Sequence, residues 1–85
     1  MNITANEKAA LAAINEAGEI ATGESGYGWW SSEILRYANC PMNPATFAAV
    51  CGSLAKKGLT TSSEHEPGMW FIELTPEGYK ALTEA

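Results

Sequence analysis

The sequence predicts an α+β fold that is mostly helical: a three-helix core, a short strand, a two-stranded hairpin and a short C-terminal helix. Three observations carry this. Leu54-Ala55-Lys56-Lys57-Gly58-Leu59 ends a helix at a glycine, the residue that most readily takes the left-handed conformation of a helix stop. A hydroxyl-rich segment, a Pro67-Gly68 turn and the apolar run Trp70-Phe71-Ile72 follow, which is the pattern of a hairpin. Leu74-Thr75-Pro76-Glu77-Gly78 then opens another helix, with a hydroxyl cap before a proline. The 85 residues, 46% of them apolar, suffice for one domain spanning residues 1–85 with one modest core.

Each element has its own local cause. Thr4-Ala5-Asn6-Glu7 is a capping box, in which the Thr4 oxygen takes the Glu7 amide and the Glu7 side chain takes the Thr4 amide. An alanine-rich helix follows and is expected to end at Gly18, presenting Leu11, Ile14, Ala10 and Ala17 as a thin apolar face. Glu19 to Gly28 reads as a loop broken by Gly23, Gly26 and Gly28, and Tyr27 to Trp30 as a short strand. Ser31 is the expected cap of helix two, which runs to about Ala38 and buries Ile34, Leu35 and Ala38. Asn39-Cys40-Pro41-Met42 is a turn. Asn43 caps helix three, with Pro44 at its first position, where a missing amide costs nothing. Phe47, Val50, Cys51 and Leu54 form its apolar stripe, and it runs to Lys57. A strand from Leu59 through Ser63 turns at Glu66-Pro67-Gly68 and returns as Met69–Leu74. Alternation sets Trp70, Ile72 and Leu74 against Met69, Phe71 and Glu73. Thr75 caps the last helix.

This order of elements resembles a winged helix-turn-helix, and within that class the DNA-binding core of MarR-type transcriptional regulators. The resemblance rests on Ser32-Glu33-Ile34-Leu35 entering helix two, Leu54 to Leu59 closing helix three, and Leu74 to Gly78 leaving the hairpin, and it covers roughly Trp29 to Leu82. It implies that helix three enters a major groove while the hairpin lies beside it over the backbone, and that the protein dimerises. Three features depart from the MarR pattern, one of them being that MarR-type recognition helices carry polar or basic side chains where helix three is nearly featureless. The last helix is short, and the hairpin tip, Ser63-Glu64-His65-Glu66-Pro67-Gly68, carries no arginine.

The formal charge is −5, from ten Glu, no Asp and five Lys or Arg. Neutralising phosphates supplies much of a nucleic-acid binder's affinity, so contact with duplex DNA has to be local. Opposite the apolar stripe, helix three presents Ala45, Ala49, Gly52 and Lys56, flanked by Thr46 and Ser53, with Asn43 at its start. An Asn can pair with adenine, and Thr or Ala methyls can touch thymine. Lys56, Lys57 and Arg36 are the nearby cations, and Ser62 and Ser63 on the hairpin can add phosphate hydrogen bonds. The expected DNA-contacting set is thus Asn43, Thr46, Ala49, Ser53, Lys56, Lys57, Ser62, Ser63 and Arg36. The same smooth helix face, with Glu64 and Glu66 beside it, equally suits an acidic module that binds protein (an adaptor, a subunit or an inhibitor of a basic partner).

Other chemistries find little support. Cys40, Cys51 and His65 lack the paired spacing of a metal site. Gly23 to Gly28 lacks the Gly-Lys-Ser/Thr ending of a phosphate loop. One His and no Asp cannot supply a nucleophile, base and orienter, so no catalytic residue and no cofactor are expected. Adjacent Trp29 and Trp30 should point to opposite faces of a strand. The inward one is expected to pack in the core near Trp70, and the outward one, with Phe71, to mark a partner or dimer surface. No leader pattern and no membrane span are read in the sequence, and two cysteines fit a cytoplasmic protein.

Overall fold

The computed structural model describes residues 3–24, 28–38, 42–67 and 69–84. Its elements are α1 (Ala5–Thr22), β1 (Trp29–Trp30), α2 (Ser31–Tyr37), α3 (Pro44–Lys56), β2 (Thr60–Glu66), β3 (Met69–Leu74) and α4 (Pro76–Glu84). The three strands form one antiparallel sheet in the order β1-β3-β2. Of the turns read in the sequence, most of Asn39–Met42, the Ser25–Tyr27 stretch and Gly68 lie outside the described residues.

The capping box at Thr4 and Glu7 forms as its sequence dictates. The helix it starts does not stop at Gly18. Gly18 is buried within α1, and the chain stays helical to Thr22, where Gly23 at φ 80° makes the stop. The reason is packing: a glycine that ends a helix must leave the helical conformation, whereas Gly18 is held inside the buried face with Ala10, Leu11, Ile14 and Ala17. Nor does Ser31 cap α2. Strand β1 runs straight into the helix, so Trp30 occupies the cap position with extended backbone and Ser31 is already helical. Asn43 does cap α3, its side chain accepting from Thr46 N–H at 2.8 Å.

Helix α3 ends in a Schellman arrangement. Gly58 takes φ 75°, its N–H donates to Ala55 O at 3.1 Å, and Leu59 N–H donates to Leu54 O at 3.0 Å. The turn drops Leu59, 1% exposed, into the core. From there β2 pairs with β3 in the register Thr60↔Leu74, Ser62↔Ile72 and Glu64↔Trp70, with a bulge between Glu64 and Glu66 that leaves His65 as the extra residue. Thr75 ties the end of the hairpin back to the end of α3. Its hydroxyl donates to Gly58 O at 2.8 Å and accepts from Gly78 N–H at 3.0 Å, capping α4.

The core is one cluster drawn from α1, α2, α3 and the inner face of the sheet: Leu11, Ile14, Ile34, Phe47, Leu54, Leu59, Ile72 and Leu74, with alanines between them. Val50, Cys51 and Leu35 pack against it half-buried. Trp29 also packs against it, its indole N–H donating to Glu33 Oε2 at 2.6 Å. Trp70 behaves differently from its alternation partners Ile72 and Leu74. It is 43% exposed, because it stands further toward the hairpin tip. On the other face of the sheet Trp30 packs edge-on against Phe71 at 5.1 Å and His65 at 5.2 Å between ring centres.

Gly78 sets how closely α4 approaches the end of α3. A Cβ there would fall on the Leu59 carbonyl oxygen, which is backbone and cannot swing aside. Gly78→Ala is therefore expected to cost about 2 kcal/mol or more in chemical denaturation, at the upper end of overpacking effects. Gly52→Ala, where an added Cβ meets nothing within 4 Å, should cost no stability and can gain from helix propensity. Equal effects at the two positions would contradict this packing.

Candidate nucleic-acid interface

Helix α3 buries Phe47 and Leu54 in the core, turns one flank toward α1 and leaves another side exposed. Ala45, Ala49, Gly52 and Lys56 are exposed along one side, and Asn43 is exposed at the N-cap. The side facing α1 carries Ser53 and Lys57, and both are engaged by the same acid. Glu7, 3% exposed, accepts from the Ser53 hydroxyl at 2.6 Å through Oε2 and from Lys57 Nζ at 2.7 Å through Oε1. Its Oε1 also accepts from Thr4 N–H at 2.8 Å, the inner half of the capping box. A carboxylate with three donors is strongly favoured over its protonated form. The Lys57 ammonium contributes most, then Ser53 and the Thr4 amide, and together they hold the Glu7 carboxyl down at about 2.

This cluster divides the expected contact set. Ala49 and Lys56 stand together on the exposed side of α3, Asn43 is exposed at its N-cap, and Arg36 is exposed in the last turn of α2. Thr46 is half-buried and lines a recess between α1 and α3 with Glu7, Ala49 and Lys57. Ser53 and Lys57 turn toward α1. Ser62 and Ser63 lie on opposite faces of β2: Ser62 looks toward α3, and Ser63 pairs with Phe71 on the outer face, 3.3 Å from the His65 ring. Adenine pairing by an Asn uses both ends of its amide. In Asn43 the oxygen already caps α3, so its NH₂ group is the part left for a base or a phosphate.

Sequence reasoning missed the second role of Glu7. The capping box accounted for the residue completely, and nothing local announces a contact 46 or 50 residues away. The one available signal is the spacing of Ser53 and Lys57, one turn apart on the helix flank beside the apolar stripe. Among the described residues no group of three or more His, Cys or Glu side chains is placed to hold a metal ion. Among the described residues no helix is long and apolar enough to cross a membrane.

Solved structures share this arrangement. BpsR of Bordetella bronchiseptica, whose DNA binding is regulated by 6-hydroxynicotinic acid, superposes over 98% of this chain with a TM-score of 0.69 and 19% identity. RosR of H. salinarum superposes over 98% with a TM-score of 0.71 and 24% identity. A protein of Ralstonia eutropha JMP134, named for a proposed DNA-binding role, reaches 0.69 and 25% identity, covering 98% of this chain and 96% of its own. The fold is a winged helix-turn-helix. Hairpin β2–β3 is its wing, and α3 stands at the position of the recognition helix. The chain spans about half of BpsR (52%) and 70% of RosR. No family model and no curated protein matches the sequence.

Lys56 and Lys57, adjacent in sequence, have unlike roles in the fold. Lys56→Ala is expected to change stability by less than about 0.5 kcal/mol, as for an exposed site. Lys57→Ala should lower it by clearly more at pH 7, because it strips the buried Glu7 of its counter-ion. The Glu7 pKa is depressed in the fold, so its contribution is complete above the unfolded value near 4.5 and disappears as pH falls toward 2. The penalty of Lys57→Ala, read by urea denaturation, should fade across that window. A penalty that persists unchanged at the acid end would contradict the pairing.

Proposed function

We propose that this chain is a DNA-binding regulator that lays α3 in the major groove of a duplex, with the wing alongside. The observation that carries this reading is the exposed, capped α3 beside a wing in a fold shared nearly end to end with a protein named for DNA binding. Within that reading Lys56 and Arg36 meet phosphates, the Asn43 NH₂ group reaches a base or a phosphate, and Ala45 and Ala49 offer methyls to thymine. Ser62, Ser63 and Thr46 are peripheral, and Ser53 and Lys57 act by holding α3 against α1. With so few cations per protomer the affinity of a single copy is low. A dimer, as the MarR resemblance implies, would raise it by engaging two sites at once.

The test is a titration of mixed-sequence duplex DNA at low and moderate salt. Each phosphate neutralised contributes a slope of roughly −0.9 in log affinity against log salt. Lys56→Ala should weaken binding and reduce that slope by about 1, whereas Ala-substituted Lys8, on the exposed side of α1, should do neither. Unchanged binding by Lys56→Ala would remove α3 from the interface.

A second reading is favoured by one observation, the exposed carboxylates of Glu64 and Glu66 at the place where a wing approaches a DNA backbone. On this reading the winged helix is an acidic protein-interaction module. The same titration separates the two: no duplex bound even at low salt would sink the first reading and leave the second.

A further inference from the structure

A recess of about 550 Å³ lies between α1 and α3, with room for a phosphate group. It opens beside the side of α3 that the DNA-binding reading lays in the major groove. Ala45 and Ala49 line it and are exposed on that side, and Glu7, Ser53 and Lys57 line it as well. The Lys57 side chain is 32% exposed and that of Glu7 4%, so the lysine reaches the surface of the recess and the acid does not.

Ser53 and Lys57 are the kind of donors that a phosphate oxygen takes: a hydroxyl and an ammonium, one helical turn apart on the same flank. In the fold both are given to an anion of the chain itself. Glu7 accepts from the Ser53 hydroxyl at 2.6 Å and from Lys57 Nζ at 2.7 Å. A carboxylate and a phosphate use the same donors, so a duplex phosphate arriving beside Ala49 has to displace Glu7 to reach them. The competition is unequal. Glu7 is tethered, and the Thr4 N–H holds it in place at 2.8 Å, whereas the phosphate comes from solution.

We propose, on the footing of the DNA-binding reading, that Glu7 is an internal stand-in for a DNA phosphate: it keeps Ser53 and Lys57 from the duplex and so sets the affinity of the α3 face. Removing its charge while keeping its shape releases both donors, and the face gains one phosphate contact. A glutamine serves a capping box as well as a glutamate does, so Glu7→Gln removes the charge and leaves α1 capped.

The experiment is a titration of the full chain with mixed-sequence duplex DNA across a range of salt. Glu7→Gln should bind about tenfold more tightly at low salt, the worth of one hydrogen bond to a charged group. Its slope of log affinity against log salt should steepen by about 0.9. Lys57→Ala added to Glu7→Gln should return both quantities to the wild-type values. Lys8→Ala added instead, which removes the same charge from the exposed side of α1, should leave the gain in place. Lys57→Ala in the otherwise unaltered chain should not change the slope, a measurement that does not need Glu7→Gln to fold. No gain in Glu7→Gln, a gain that Lys8→Ala also cancels, or a slope lowered by about 0.9 by Lys57→Ala alone would each overturn the proposal. Lys56→Ala in the same titration separates this from the DNA-binding reading. If it lowers the slope while Glu7→Gln adds nothing, the role of Glu7 alone fails. If neither the wild type nor Glu7→Gln binds duplex, both fail.

Discussion

The Glu7 carboxylate is the point on which the arrangement of helices turns. It closes the N-terminus of α1 through the Thr4 amide and reaches across to Ser53 and Lys57 on α3. One acid thus caps the helix it sits in and fixes the helix that a winged domain presents outward. Because Glu7 is shut from solvent, its charge is tolerable only while its donors are in place, and their number is what makes it an ion there. The elements after α3 inherit its position: Gly58 and Leu59 turn the chain into the wing, and Thr75 ties the wing's return strand to Gly58.

Much of the architecture was legible because local chemistry is strong at its boundaries. Thr4, Asn43, Gly58 and Thr75 each satisfy backbone groups within a few residues, and such short-range rules do not depend on the rest of the fold. Two boundaries escaped for the same reason in reverse. Gly18 has the composition of a stop but sits in a buried face, and Ser31 has the composition of a cap but follows a strand that leaves no room for one. Tertiary placement overrode local preference at both.

The candidate interface was legible only in outline. The outward side of α3 follows from its apolar stripe, so Ala49 and Lys56 fall where helical geometry puts them, and Asn43 is reached only because it is the exposed N-cap. What the sequence hid was the competition for Lys57 and Ser53, which an acid 50 and 46 residues away had already won. The result is a winged helix with modest positive charge beside α3 and carboxylates on its wing.

The most direct measurement is the titration of the Glu7 side-chain carboxyl by NMR. With Ser53, Lys57 and Thr4 donating to it, its midpoint should lie near 2 and should move up when Lys57 is replaced by alanine. A midpoint at the ordinary value near 4.5, unmoved by that replacement, would mean that Lys57 is not held by α1 and that α3 is positioned by something else.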